Sequence, residues 1–494
     1  MAATGRPRTA HQSNWARPGP AVIERASPTD LAFLALDSPE NPEQFGVLLW
    51  VNACSADVPR MVELIATRVR TIGRLRQRLL RVPLGCGRPV WIDDDGYRDA
   101  DHIRVMRCPG PGDESALLEA AQRIVAEPLS RLRPLWAAVV LTGLARDRVA
   151  LVVVLHHVLA DGLGGLQVLT HLADRPGQPA MCAESGFPAP RPETGALARA
   201  AFRQRLIGLG HIADTWRLLV SSMAGAGGVL PPRAQPCSLN RRTGPRRHLL
   251  ITRCDAVSLR DAAHRLGGTT NDAILVAVGG ALARVLADRG EWIEGLSMIV
   301  PVSGRRPGAS SPLGNLVSPL LVSVPTSGPV AQRVTTVAVQ VRSKRSSATG
   351  PPPIALLGGL FRMLAATGGF RWYMNHQRRL HTLVSHVRGP VEPAAIGGHP
   401  ITAAVPIVMG DNGNITVYFE ILSYAGTVVL AAMVDPEQFS ETDLLVSALR
   451  DGLDSIITDV SRSGPGPSPG PQDPTDRDLP ALPAERSGRP VDSG

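Results

Sequence analysis

Two adjacent histidines, His156 and His157, close an apolar run, and Asp161-Gly162 follows four residues after the second. An unperturbed imidazole titrates near neutrality, so one well-placed histidine is the simplest general base a protein can build. Such a base takes the proton of an attacking hydroxyl, and the imidazolium can return it to the leaving group. One histidine serves both halves of such a transfer with no covalent intermediate. Two histidines and a carboxylate would also suit a non-haem iron site. Adjacent strand positions point to opposite faces, however, and no further His or Glu stands at ligand spacing nearby, so no metal is expected. Asp161 has two readings: an orienting partner of the imidazole, as in a hydrolase triad, or a structural anion holding the loop.

The elements that must carry these groups follow from local pattern. Residues 151–155 are five apolar side chains in a row, three of them valine, and read as a strand buried on both faces. Asp161-Gly162 suits a turn, and 163–172 has the leucine spacing of a helix. Gly162 permits a backbone geometry or a close approach that a Cβ would obstruct. Gly164 and Gly165 read as helix-packing residues, because neither a P-loop lysine nor a GxGxxG arrangement accompanies them.

Strands and helices alternate on both sides of this segment. Upstream, the pattern predicts a capped helix from Ser27, a strand over 45–51, helical spacing over 58–80, a short strand over 89–92 and a helix over 113–127. A strand pair over 136–144 and 148–155 then leads to the histidines. A second unit reads as strand 248–253, helices 258–267 and 271–288, strands 295–302, 414–421 and 427–434, and helix 441–460. The expected division is therefore a disordered segment 1–26, an α/β unit 27–174, a linker and crossover helix 175–237, a second α/β unit 238–460 and a disordered tail 461–494. Inter-unit clefts are common ligand sites, which puts the expected site between the two units.

Composition narrows the class of partner. The net charge of +9 is carried almost wholly by arginine, Lys344 being the only lysine, and the basic residues are scattered without an aromatic platform. Nucleic acid is therefore not an expected partner. A mildly basic face suits anionic phospholipid or a phosphorylated small molecule. The six cysteines form no CxxC pair, no apolar core follows Arg6 and Arg8, and no stretch reads as a membrane span. The expected location is the cytoplasm, with peripheral contact at the inner membrane or lipid droplets. Residues 356–370 with Arg371-Trp372-Tyr373, and 203–216, mix arginine with bulky apolar side chains and suit either a lipid surface or packing on the protein body.

His156-His157 with Asp161-Gly162 matches the HHxxxDG signature of acyltransferases that act on thioesters. Arg133-Pro134-Leu135-Trp136 precedes it; Thr270-Asn271-Asp272, Pro301-Val302-Ser303-Gly304-Arg305 and Leu313-Gly314-Asn315 follow. With the opening Ser27-Pro28-Thr29-Asp30-Leu31-Ala32-Phe33-Leu34, this ordered set resembles the bacterial wax ester synthase/diacylglycerol acyltransferase family from about Ser27 to Val460. The resemblance implies two chloramphenicol-acetyltransferase-like subdomains with the site in a tunnel at their interface. It implies His157 as general base, with His156 supporting the strand or turn. It also implies that Asp161 turns from the site and pairs with an arginine, for which Arg305 is the candidate. Asn271 becomes a candidate donor to the thioester oxygen, with Asp272 structural, and Trp136, Ser303 and Asn315 become tunnel residues. One segment departs from the family's Ser-Asn-Val-x-Gly-Pro: here it reads Ser385-His386-Val387-Arg388-Gly389-Pro390, putting a titratable ring where an amide is usual.

The implied activity is acyl transfer from acyl-CoA, as co-substrate and without a bound cofactor, to diacylglycerol, a long-chain alcohol or both. Two rivals stand beside it. A condensation or polyketide-associated acyltransferase would draw on a carrier protein, and the chain has no attached carrier or adenylation domain. A lipid-surface protein without turnover is favoured only by the His386 departure.

Overall fold

The apolar run ahead of the histidines becomes the interior of a sheet. The structure is a computed structural model that describes residues 23–174, 187–210, 233–303, 315, 317–347, 358–410 and 413–462. In chain order the first half supplies α1 (Pro28–Leu36), β1 (Gln44–Val51), α2 (Val58–Val69), β2 (Gln77–Leu80), β3 (Val90–Asp93), β4 (Ile103–Arg107), α3 (Glu114–Ala126), β5 (Trp136–Thr142), β6 (Val149–His156) and α4 (Gly162–Leu172). After α5 (Thr194–Gly210) come β7 (His248–Asp255), α6 (Ala256–Arg265), α7 (Thr270–Asp288), β8 (Gly295–Ser303), β9 (Val317–Pro325) and α8 (Val330–Ser347). The chain continues through α9 (Gly358–Ala366), α10 (Gly369–Asn375), β10 (Thr382–Arg388), β11 (Ala395–Ile396), β12 (His399–Val408), β13 (Val417–Tyr424), β14 (Thr427–Val434) and α11 (Thr442–Arg462).

Two six-stranded sheets result, ordered β11-β12-β1-β6-β5-β4 and β7-β14-β13-β10-β8-β9, with β2 and β3 as a separate ribbon. The fold is mixed α/β, as expected. The segment 238–460 also lends β11 and β12 to the first sheet, where β12 pairs antiparallel with β1 from Phe45↔Val408 to Val51↔Ile401. That pairing stitches the two halves together.

Every residue of β6 is buried, because both faces of its sheet are covered. On one face Leu151, Val153 and Leu155 pack with Ile65 of α2 and Val168 of α4. On the other, Val152 and Val154 pack with α3 and with Tyr418, Val429 and Ala431 of the second sheet. The same period-2 alternation divides β13: Val417, Phe419 and Ile421 join the core around α7 and α11, while Tyr418, Leu422 and Tyr424 turn toward the first sheet. α7 is the one described helix long and apolar enough to cross a membrane, and here it is a core helix with most of its residues buried.

Several expectations are shortened or displaced. The helical spacing over 58–80 ends as a helix at Val69, and residues 77–80 become β2 instead. Leu75 and Leu79 are four apart, which suits both a helix face and alternate strand positions; antiparallel pairing of 77–80 with 90–93 decides for the strand. The segments 1–22, 175–186, 211–232 and 463–494 lie outside the described residues, including most of the expected linker and both expected tails.

Candidate active site

The two histidines leave β6 in opposite directions, as strand geometry requires. His156 donates its backbone N–H to Leu135 O at 3.0 Å, and His157 donates its own to Glu43 O at 2.9 Å. The His156 ring is buried: Nδ1 accepts from the Val158 N–H at 3.2 Å, and Nε2 lies 3.2 Å from Asp37 Oδ2, at ion-pair distance but off the line of a hydrogen bond. Asp37 also accepts from the Glu43 N–H at 2.9 Å and pairs with Arg131. Burial pushes the Asp37 carboxyl up, but His156, the Glu43 N–H and Arg131 outweigh it and hold it at about 2. His156 is thus a tie between β6 and the end of α1.

The His157 ring is held between two aromatic side chains. It stacks on Phe33 of α1 at 4.7 Å and 10°, and Phe45 of β1 tilts against it at 4.9 Å and 40°. Nδ1 is buried with no hydrogen-bond partner, which leaves Nε2 as the nitrogen able to meet a ligand. Burial, and then the neighbouring His156, lower its pKa to about 3. At neutral pH the ring is an uncharged imidazole, ready to accept a proton.

His157 lines a narrow cavity of about 90 Å³ between the two sheets. β1, β6, α4 and β12 form one wall, with Phe45, Leu155 and Pro406 among its residues. β10 and β13 form the other, with Ser385, Val387 and Glu420. Two glycines permit close contacts here, Gly162 between the two walls and Gly165 within the histidine wall. A Cβ at Gly162 would stand 2.7 Å from Val387 Cγ2, and one at Gly165 would stand 2.7 Å from Phe45 Cε2. Close approach, the role expected of Gly162, therefore extends to Gly165.

Asp161 caps α4 by accepting from the Gly164 N–H at 2.8 Å. Its expected partner Arg305 lies outside the described residues, as does the side chain of Ser303 at the end of β8. Asn315 does reach the motif. Its Nδ2 donates to Asp30 Oδ1 at 2.8 Å and to His157 O at 2.5 Å. Both amide hydrogens are committed, so Asn315 ties the histidine turn to α1 and has no donor left for a substrate oxygen.

Asn271 occupies the second position of α7, half-buried and off the cavity wall, behind a capping box formed by Thr269 and Asp272. The structural role expected of Asp272 is thus visible in its bonds. Trp136 also stands off this wall. It is buried in the first core and donates Nε1–H to Leu75 O at 2.7 Å, so its indole anchors β5 to the 73–76 turn. His386 faces away from Ser385 and Val387, and its Nε2 lies 2.8 Å from Ser423 Oγ. Burial, then Arg388, push its pKa down to about 3. The departure at His386 therefore alters the packing between β10 and β13 and adds no charge to the cavity.

Three residues of the site escaped the sequence reading. Phe33 and Asp37 belong to an apolar helix end with no chemical signal of its own. Glu420 did leave a signal: it is the one carboxylate in the strand Val417–Tyr424. Burial raises it to about 8, against the lowering effect of its hydrogen bond with Ser385. Its partial exposure is to the cavity it lines.

Comparison with known proteins shows the family. The wax ester synthase/diacylglycerol acyltransferase catalytic domain matches residues 26–274, and the C-terminal domain of the same family matches 313–457. A putative diacylglycerol O-acyltransferase of Mycobacterium tuberculosis is 28% identical over 441 residues, covering 81% of this chain and 84% of its own. A probable diacylglycerol O-acyltransferase from the same organism is 27% identical over 430 residues, covering 83% and 90%. Among solved structures, the wax ester synthase/diacylglycerol acyltransferase of Marinobacter aquaeolei VT8 superposes with a TM-score of 0.63 at 19% identity, over 89% of this chain and 100% of that one. The first condensation domain of the calcium-dependent antibiotic synthetase superposes at 0.61 with 16% identity, over 88% and 97%. At these identities the superpositions speak for the fold.

Proposed function

Because the chain belongs to the wax ester synthase/diacylglycerol acyltransferase family, and is an acyltransferase of that type, we propose that it esterifies diacylglycerol or a long-chain alcohol with the acyl group of acyl-CoA, using His157 as general base. Nε2 takes the hydroxyl proton as the oxygen bonds to the thioester carbon. The C–S bond then breaks, and the imidazolium returns the proton to the thiolate, giving an ester and free coenzyme A. The observation that carries this reading is the uncharged His157 ring, sandwiched by Phe33 and Phe45 at the wall of a largely apolar cavity. An apolar wall excludes water, which would otherwise hydrolyse the thioester. Desolvation also makes the imidazolium costly, so it forms only together with the anionic oxygen or thiolate beside it.

The proposed location is cytoplasmic with peripheral lipid contact. Met363 and Trp372 on α9 and α10, and Phe202 and Ile207 on α5, are exposed and support that part of the reading. The condensation-domain superposition favours a second reading, in which a carrier protein supplies the acyl group. Labelled palmitoyl-CoA offered with dipalmitoylglycerol or with hexadecanol, scored by thin-layer chromatography, separates the two. Labelled ester and free coenzyme A are expected without any carrier. Absence of both products with wild-type protein would sink the proposal.

A further inference from the structure

The cavity wall opposite His157 carries a polar pair that the transfer chemistry leaves unused. Ser385 of β10 and Glu420 of β13 are direct partners in the parallel register, and the serine side chain hydrogen-bonds the carboxyl. Apart from His157, the side chains around them on the cavity wall are apolar. With Glu420 protonated, the pair holds two O–H donors. One is used between the two residues, whichever way it points, and one is left over. A leftover donor facing an apolar cavity is costly unless a ligand supplies an acceptor.

We propose that Glu420 and Ser385 form a single-donor site for a carbonyl oxygen of the substrates, open while Glu420 keeps its proton and closed when it is ionised. The inference rests on the acyl-transfer reading for its ligands. A carbonyl oxygen accepts without donating, which matches one leftover donor. Once Glu420 is ionised, the Ser385 hydroxyl donates to the carboxylate, and the pair presents only acceptor oxygens that repel a carbonyl. Two substrate carbonyls have this chemistry: the thioester carbonyl of acyl-CoA and an ester carbonyl of a diacylglycerol.

The titration belongs to Glu420 alone among the groups around it. Among the described residues, His157 is the one other titratable side chain on the wall, and it stays uncharged at neutral pH. Tyr418, two positions along β13, donates its hydroxyl to Val408 O at 3.0 Å, with Arg247 and Glu43 within electrostatic reach of it. On the neighbouring strands, Ala431 of β14 sits beside Glu420, and β12 offers Pro406 and Val408. His386 is turned to the opposite face of β10. Burial holds the Glu420 proton up to about pH 8, so the donor is present below that value and withdrawn above it.

The test compares the full chain with Glu420→Gln, Ser385→Ala and the double variant Glu420→Leu/Ser385→Ala. Coenzyme A release from palmitoyl-CoA is followed with dipalmitoylglycerol and with hexadecanol from about pH 6 to about pH 10, a range that brackets the raised carboxyl. Wild-type rates should fall roughly tenfold across pH 8, the factor that one lost hydrogen bond of about 1.4 kcal/mol gives. Glu420→Gln keeps an N–H donor at every pH, so the step should vanish while the low-pH acceptor preference remains. The double variant Glu420→Leu/Ser385→Ala holds no donor and should sit near the high-pH wild-type rate throughout, whereas Ser385→Ala keeps the carboxyl proton and should keep the step. A fall confined to dipalmitoylglycerol assigns the donor to the acceptor's ester carbonyl; an equal fall with hexadecanol assigns it to the thioester. A flat wild-type profile, a step that persists in Glu420→Gln, or a Gln variant as impaired as the double variant would overturn the proposal. If wild-type protein acylates neither acceptor, the acyl-transfer reading fails separately. Binding of dipalmitoylglycerol and of palmitoyl-CoA still decides the donor site then: at least one is tighter below pH 8 in wild type and pH-independent in Glu420→Gln if the proposal holds, and neither responds to pH in wild type if it does not.

Discussion

The two walls of the cavity are built in different ways. The histidine wall draws its chemistry from one short segment, 156–165, fixed by backbone ties: Leu135 and Glu43 carbonyls hold the two histidine N–H groups, and Asn315 holds His157 O. The opposite wall sets Ser385 beside Glu420 through the parallel pairing of β10 and β13, strands that are separated in the chain by β11 and β12. The first wall is a motif in the chain; the second is a motif only in space. Local sequence therefore discloses the proposed base, while the groups proposed to recognise substrate emerge from strand register.

The largest expected effect breaks the histidine wall at its centre. His157→Ala should lower acyl transfer by about 10²–10⁴-fold, the range that general-base catalysis contributes. The fold should persist, since neither ring nitrogen makes a hydrogen bond whose loss would strand a partner. In wild type, the free enzyme should show no acidic decline near the ordinary histidine value of 6.5, because burial has moved this ring to about 3. The kcat/KM profile below neutrality checks it. A histidine limb near 6.5 would mean that the ring is solvated, and near-native turnover by a folded His157→Ala protein would remove the assignment altogether.

A smaller effect should follow from crowding the cavity walls. Gly165→Ala places a Cβ where the Phe45 ring now stands, and that ring is one side of the His157 sandwich. Overpacking of this kind costs about 1–3 kcal/mol. The variant should be folded, lowered in melting temperature, and slower by roughly tenfold as Phe45 shifts against the imidazole. Gly162→Ala meets only a Val387 methyl, the end of a small side chain, and should be milder. Equal rates for both variants and wild type would show that wall spacing does not set the geometry of the base.

The same contrast explains what was legible in the chain. Strand β6, the turn and α4 were readable because a fully buried strand and a leucine-spaced helix leave local signatures, and so was the glycine contact. β12 was not, because its pairing with β1 joins residues more than three hundred apart, and its Pro400 and Pro406 argue locally against an interior strand. Trp136 and Asn315 were noticed as residues but their partners were not. A tunnel position and a core position are indistinguishable for a tryptophan until Leu75 O is found bonded to it. Asn315 shows the complementary case, since a free amide and a committed one have the same spelling.

Asn315 gives the next effect in order. Asn315→Ala removes donors from Asp30 and from His157 O, leaving a buried carboxylate and a carbonyl short of partners. Such losses cost about 1–3 kcal/mol for each stranded group. Activity should fall with stability, because the turn behind His157 loosens while the base itself remains. Urea unfolding alongside steady-state rates checks this. A variant with wild-type stability and a large loss of turnover would instead return Asn315 to direct contact with substrate.

Asp161 should give the smallest effect if its visible bond is its main role, and it offers the sharpest test of whether Arg305 reaches this turn as Asn315 does. As the cap of α4 it accepts from the Gly164 N–H, a bond that asparagine can reproduce and alanine cannot. Capping alone therefore predicts that Asp161→Ala loses about 1 kcal/mol and Asp161→Asn almost nothing. An ion pair with Arg305 predicts a different order. Asn would keep the cap but strand the arginine, and both variants would be severe, by about 3–5 kcal/mol for a buried pair broken from one side. A double-mutant cycle with Arg305→Ala, read as unfolding free energy, separates the two: a coupling above about 0.5 kcal/mol marks contact, and additivity marks a cap acting alone. Should Asp161→Asn keep full stability yet lose turnover, neither structural role suffices, and the carboxylate would act on the imidazole as an orienting partner.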